Sequence, residues 1–131
     1  AGMERTYIAT DDRYSQFYRA LEKRLLAAGL ELTDAPADAT AIFSITFDTT
    51  DQRVLSVSAR NVPTEYEVYY TIAYSLDSGV TNLLPQQTLT LTRDYTYDST
   101  LVLGKAREEE LLRKAIVDDL VRIVMKQIST L

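Results

Sequence analysis

The stretch that decides the fold covers residues 60–76 and reads RNVPTEYEVYYTIAYSL. Asn61 and Pro63 are turn formers, so the segment begins as a hairpin tip. After the tip, apolar residues occupy every second position, which predicts a strand with one face toward a core. The apolar positions of this strand are Tyr66, Val68, Tyr70, Ile72, Tyr74 and Leu76.

The segment before the tip has the same period of two. Its polar residues alternate with one apolar set from residue 41 to residue 59, and the parity survives across TTDQ at 49–52. This pattern predicts either one long bulged strand or two strands joined by a turn. The apolar set, expected to share one face, is Phe43, Ile45, Phe47, Leu55, Val57 and Ala59.

The segment after the central strand reads DSGVTNLLPQQTLTLTRDY at 77–95. The turn residues of DSGV and the residues around Pro85 indicate a connection. The alternation of residues 88–95 predicts one more strand of the sheet.

A short apolar segment, Thr6 to Ala9, indicates a strand near the start of the chain. Thr10, Asp11 or Asp12 is then expected to cap a helix. Five apolar residues then recur at intervals of three and four, which predicts a helix with one face packed on the core. Gly29 has the position of its C-terminal cap. The five residues are Tyr14, Phe17, Tyr18, Leu21 and Leu25, and residues 30–40 are expected to be a surface connection.

The last segment, residues 106–130, has helical spacing of its apolar residues and three glutamates in its first turn. Negative charge stabilises the N-terminus of a helix. The order of elements therefore predicts a single α+β domain over residues 1–131. We expect a two-layer sandwich in which two helices pack on one face of a mainly antiparallel, four-stranded sheet.

The composition excludes most catalytic sites. The chain of 131 residues contains no Cys and no His, which removes thiolate and imidazole metal sites and His-based general bases. Acidic pairs such as Asp118-Asp119 and Glu65/Glu67 leave a small carboxylate enzyme as a minor alternative, but adjacent helical acids face different directions. We expect no enzyme, no cofactor and no metal. The net charge of -5 argues against nucleic acid.

The strand directions gather basic and aromatic residues at one end of the sheet. If the first long strand runs up to Arg60, the third runs up again through Arg93 toward Tyr95 and Tyr97, and Lys105 follows. Charged tips are commonly only solvated. As a group, however, cations beside tyrosines suit an anionic amphiphile, because Arg and Lys pair with phosphate and Tyr adds apolar area.

Two further surfaces indicate a protein partner. Val117 and Val121 widen the apolar arc of the last helix beyond that of a simple surface helix. Either the first helix or a larger partner must cover them. Tyr69 and Ala73 interrupt the otherwise polar sheet face, which is typical of an interface.

Three short motifs carry a resemblance to a known family: R-N at 60–61, E-Y at 65–66, and L-G-K at 103–105 before the last helix. In their order and spacing they resemble the LPS-assembly lipoprotein family LptE, also called RlpB. The resemblance implies contact with lipopolysaccharide at Arg60 and Lys105, with Arg93 as a further candidate.

The resemblance also implies a place and a partner. Members of the family plug the β-barrel protein LptD on the periplasmic side of the outer membrane, where an N-terminal lipidated Cys anchors them. That Cys and a signal peptide are absent from the sequence given, which we interpret as a truncated start. The alternative is a periplasmic or envelope interaction domain that binds a protein and no lipid.

Overall fold

The computed structural model describes residues 3–60, 63–96 and 105–131. One helical layer packs on one sheet, as the α+β prediction requires. In chain order the elements are β1 (Arg5–Ala9), α1 (Gln16–Ala27), β2 (Glu31–Leu32), a 3-10 turn (Pro36–Asp38), β3 (Ala41–Val57), β4 (Pro63–Ser78), β5 (Thr81–Thr96) and α2 (Lys105–Ser129).

The sheet has five strands in the order β2-β1-β3-β4-β5, so the prediction of four mainly antiparallel strands is wrong in number and in kind. Strands β3, β4 and β5 form an antiparallel meander, whereas β1 pairs in parallel with both β2 and β3. The chain crosses from β1 through α1 before it returns as β2. The predicted surface connection at 30–40 therefore contains a two-residue strand, held by the Glu31 N–H donating to the Glu4 carbonyl at 2.9 Å.

Helix α1 begins later than its sequence predicts. Its N-cap is Ser15, whose hydroxyl accepts a hydrogen bond from the Tyr18 N–H at 3.0 Å. Thr10 and Asp12 instead stabilise the preceding turn, and Tyr14 lies outside the helix with its side chain exposed. The end of the helix is as predicted, because Gly29 has a φ of 87°, a backbone conformation that a residue with a Cβ rarely adopts.

Strand β3 is continuous across residues 49–52, so one long bulged strand is the correct alternative. The bulge lies at Thr46: Ile45 pairs with Tyr74, but Phe47 pairs with the next residue of β4, Ala73. One extra residue reverses the side-chain parity of everything after it. Phe47 is therefore half exposed on the open face of the sheet, and its predicted place beside Phe43 is wrong.

Pro85, expected in a connection, lies inside β5. Strand β5 is the last strand of the sheet order, and an edge strand tolerates proline because its outer N–H groups need no partner within the sheet. The connection before it is only a tight turn at Gly79 and Val80, with Gly79 at a φ of 61°.

The core lies between the helices and the part of the sheet formed by the start of β3 and the last two-thirds of β4. Phe43 and Tyr74 stack there with ring centroids 5.4 Å apart. All the most deeply buried large side chains belong to this layer, and they are Tyr70, Tyr74, Phe17, Phe43, Leu21, Leu25, Ile72, Leu76, Ile116, Leu120, Val68 and Val124.

Candidate functional site

The end of the sheet near the β3–β4 tip is where the helical layer stops. A strand of 17 residues spans roughly 55 Å, whereas the 12 residues of α1 span about 18 Å. Helix α2 reaches further, and its first turn meets the sheet at Tyr95, whose hydroxyl donates to the Glu109 carboxylate. Beyond this level none of the described helices lies above the strands.

A polar network closes the helical layer at this level. With its nitrogen turned toward them, the Gln52 amide donates to Glu109 and, at 3.2 Å, to the Tyr95 hydroxyl. Tyr66 stacks on Tyr95 at a centroid distance of 5.4 Å. Burial and the hydrogen bond to Glu109 raise the pKa of Tyr95, so the phenol stays a neutral donor at physiological pH.

Arg60 lies just past the end of β3, on the exposed tip beyond the network. Its backbone N–H donates to the Ser58 hydroxyl at 3.2 Å. Within the described ranges, no ion pair occupies its guanidinium. Arg60 therefore remains an accessible cation at this end.

Lys105 is the first residue of α2, and α2 starts at the same end of the sheet, one turn before Glu109. The backbone thus brings positions 60 and 105 to one end, as the strand directions predict. Tyr97, the aromatic residue predicted to join them, lies outside the described residues.

Arg93 stands apart from that pair. It lies opposite Val68 in β5, five residues or roughly 17 Å along the sheet from the start of β4. Its guanidinium is 2.6 Å from the Asp119 carboxylate of α2, which also accepts from Arg122 at 2.7 Å. Hydrogen bonds from Arg122 and Arg93 lower the pKa of Asp119. Arg93 is therefore engaged in holding α2 on the sheet edge.

The open face of the sheet carries the predicted partner residues Tyr69 and Ala73. The Arg53 guanidinium lies 4.8 Å from the Tyr69 ring centroid and 2.5 Å from the Glu67 carboxylate, so a cation covers the aromatic ring. Ala73 is only 6% exposed, beside its half-exposed neighbour Phe47. Phe47, predicted on the core face, is a larger apolar side chain of this open face than Ala73.

Val117 and Val121 are each 3% exposed and belong to the core. Helix α1 packs over most of the wide apolar arc of α2 to which these two valines belong. What remains is a groove of about 890 Å³ between α1 and α2, with Ala20 and the two valines at its base and charged side chains on its rims. Contact of these valines with a partner stays a prediction.

A buried polar cluster under α1 was also missed. The Tyr70 hydroxyl donates to Asp48 Oδ1 at 2.5 Å and accepts from the Phe17 N–H at 3.2 Å, while Asp48 Oδ2 is buried and finds no hydrogen-bond partner in the described part of the chain. The bulge at Thr46 turns Asp48 toward the helices. The cluster fixes α1 on the sheet, and burial, with the bond to Asp48, raises the pKa of Tyr70.

The described residues contain no group of three acidic side chains that could hold a metal ion. Among the described helices, none has the length and apolar character needed to cross a membrane.

Comparison with known proteins gives one family and several structures. The sequence model of the family described as "LptE: Lipopolysaccharide-assembly" matches residues 3–128. Among curated proteins no match is found. The fold is similar to that of rare lipoprotein B from Shewanella oneidensis, with a TM-score of 0.81 and 21% identity over 96% of this chain and 94% of that one.

Two further solved structures are similar. Lipoprotein B from Nitrosomonas europaea has a TM-score of 0.80 and 28% identity, and the match covers 97% of this chain and 83% of that chain. A minor lipoprotein from Acinetobacter baumannii has a TM-score of 0.77 and 21% identity, and the match covers 98% and 92%.

Proposed function

Because this chain belongs to the LptE family of lipopolysaccharide-assembly proteins, we propose that it is the periplasmic domain of an outer-membrane lipoprotein that binds lipopolysaccharide during assembly. The observation that supports a lipid site is the common end of the sheet reached by Arg60 and by the start of α2 at Lys105. The proposed mechanism is binding without turnover.

Electrostatics favours Arg60 as the phosphate contact over Arg53 and Arg93, the arginines within the long strands. Arg53 is paired with Glu67, and Arg93 with Asp119, so each would have to give up an ion pair to bind a ligand. Arg60 is under no such constraint from the described residues. Its planar guanidinium can donate two parallel hydrogen bonds to a phosphate, and the overall charge of -5 makes a local cation necessary for any anionic ligand.

The binding test compares two charge reversals. Arg60→Glu with Lys105→Glu is expected to weaken lipopolysaccharide binding at least about tenfold, since two attractions become repulsions. Lys23→Glu with Lys126→Glu applies the same change of charge to exposed helix positions, and neither lysine makes an ion pair among the described residues. Equal binding by the two variants, with unchanged thermal unfolding, would contradict the assignment of the lipid site.

We also propose that the domain plugs the LptD barrel and that an N-terminal lipid holds it at the membrane. The open face supports a barrel contact, because Phe47 and the covered Tyr69 interrupt its polar residues with apolar area. Affinity purification from detergent-solubilised outer membranes is the test, with the protein expressed behind its own signal. A stoichiometric barrel protein is the expected result, and its loss on Phe47→Asp with Tyr69→Asp would locate the contact.

A further inference from the structure

Three aliphatic side chains stand exposed at the end of β3, at the level of the first turn of α2 and beyond it toward the tip. They are Val54, Leu55 and Val57, here called the aliphatic strip, and they are 49%, 45% and 51% exposed. Single exposed aliphatic residues are ordinary on a protein surface. Three within four residues, all about half exposed at the end of the described helical layer, are an unusual concentration of apolar surface that needs an explanation.

The backbone explains how the strip arises. Register shifts between Val54 and Ser56, and again between Ser56 and Val57, break the alternation that would hide every second side chain. Val54 pairs with Tyr66, which stacks on the 9% exposed Tyr95. Val54 therefore lies beside the last aromatic pair of the core, and Leu55 and Val57 follow it toward the tip.

Charge is the second property of this end. Three residues after Val57 comes Arg60, the cation that no described carboxylate neutralises. An apolar strip followed by a cation matches a ligand with an acyl chain attached to an anionic group. A purely anionic ligand would leave the strip in water, and a purely apolar one would leave Arg60 unused.

We propose that the aliphatic strip binds the acyl chains of the anionic lipid whose phosphate Arg60 contacts. This inference rests on the proposed function and adds the class of group that the strip recognises. Covering half of each side chain removes apolar area from water, and two such residues together are worth about a tenfold change in affinity.

The experiment uses two soluble ligands with the same bisphosphorylated disaccharide. One carries acyl chains short enough to stay monomeric, and the other carries none. The test variant is Leu55→Ser with Val57→Ser, and Val80→Ser is the control, because Val80 is fully exposed in the turn at the opposite end of the sheet. Leu55→Ala provides a milder second variant whose fold is not in question.

The expected result is selective loss. Leu55→Ser with Val57→Ser should bind the acylated ligand about tenfold more weakly and the deacylated ligand as the wild type does, whereas Arg60→Glu should weaken both. Leu55→Ala should follow the same pattern with a smaller factor, and Val80→Ser should change neither affinity.

Two results would overturn the inference and leave the proposed function standing. One is unchanged binding of the acylated ligand by both strip variants. The other is an equal loss of both ligands, which would mean that the substitutions act on the phosphate contact. Wild-type protein that binds neither ligand would instead contradict the proposed function together with the inference.

Discussion

Two segments of the same β3–β4 hairpin have nearly the same alternation of apolar and polar residues but very different surroundings. Near Phe43 and Leu76 both helices cover the sheet and these side chains are fully buried. Near Leu55, just beyond the level of Tyr66 and Tyr95, the strands continue past the described helices, and Leu55 is 45% exposed. The difference shows that a period of two specifies a strand, whereas the length of the helical layer decides which part of it belongs to the core.

The largest effect on stability should come from the same substitution, leucine to alanine, made in each of the two segments. Leu76→Ala leaves a cavity under the helices and is expected to lower the free energy of unfolding by about 2–5 kcal/mol. Leu55→Ala removes atoms that already contact water, and the expected loss is below about 1 kcal/mol. Chemical denaturation of the two variants measures the contrast. Equal losses would mean that the hairpin end is covered in the folded protein.

A smaller effect separates the two faces of β4. Tyr70→Phe removes the hydroxyl that joins Asp48 to the Phe17 N–H, and it leaves a buried carboxylate without its donor. We expect a loss of about 1–3 kcal/mol. Tyr69→Phe on the open face is the matched control and should change stability by less than about 0.5 kcal/mol. A similar loss in the two variants would argue against a stabilising role for the cluster.

At the boundary between the two segments, Tyr95→Phe should weaken the contact of α2 with the sheet. The hydroxyl ties β5 to Glu109 in the first turn of α2, and its removal should cost about 0.5–1.5 kcal/mol. Because the bond is local, amide hydrogen exchange should accelerate in the first two turns of α2 and stay constant in α1. Uniform acceleration in both helices would show that the network supports the whole fold and not only this end.

The smallest effect concerns pH. Arg122 and Arg93 lower the pKa of Asp119 in the folded state, so the carboxylate stabilises the protein above its unfolded pKa of about 3.9. This stabilisation is lost as the pH falls through the lower, folded pKa. Asp119→Asn should therefore be less stable than the wild type by up to about 1 kcal/mol near pH 6, with the difference shrinking below about pH 4.

Denaturation curves from pH 6 to pH 2 measure this convergence. Asp34→Asn, at an exposed position between β2 and the 3-10 turn, is the control for replacing a carboxylate by an amide. A difference between Asp119→Asn and the wild type that stays constant down to pH 2 would contradict the linkage.

The sequence was sufficient to predict elements whose hydrophobic pattern lies within one continuous segment. The alternation of residues 66–76 identifies β4, and the spacing of residues 106–130 locates α2 to within a residue at each end. It was insufficient for features that depend on which strands pair with each other. Strand β2 has two residues and exists only because β1 lies beside it, and Pro85 fits a strand only because that strand is the edge.

The same distinction applies to the site. Strand directions alone place Arg60 and Lys105 at one end, since each long strand must reverse the last. The ion pair that engages Arg93 could not be predicted, because it depends on which face of α2 meets β5. Because of the bulge at Thr46, the faces of the sheet on which Phe47 and Asp48 lie could not be predicted. One extra residue exchanges the two faces without changing the alternating pattern.

Strand β5 has a practical consequence for anyone who handles this protein. It is the edge of the sheet for 16 residues, and from Thr81 to Thr92 it carries no charged side chain. Charges on an edge strand normally prevent two molecules from joining their sheets, and here they begin only at Arg93 and Asp94. Refolding and concentration are therefore the steps at which we expect aggregation, and Thr88→Lys is the solubilising substitution to try first.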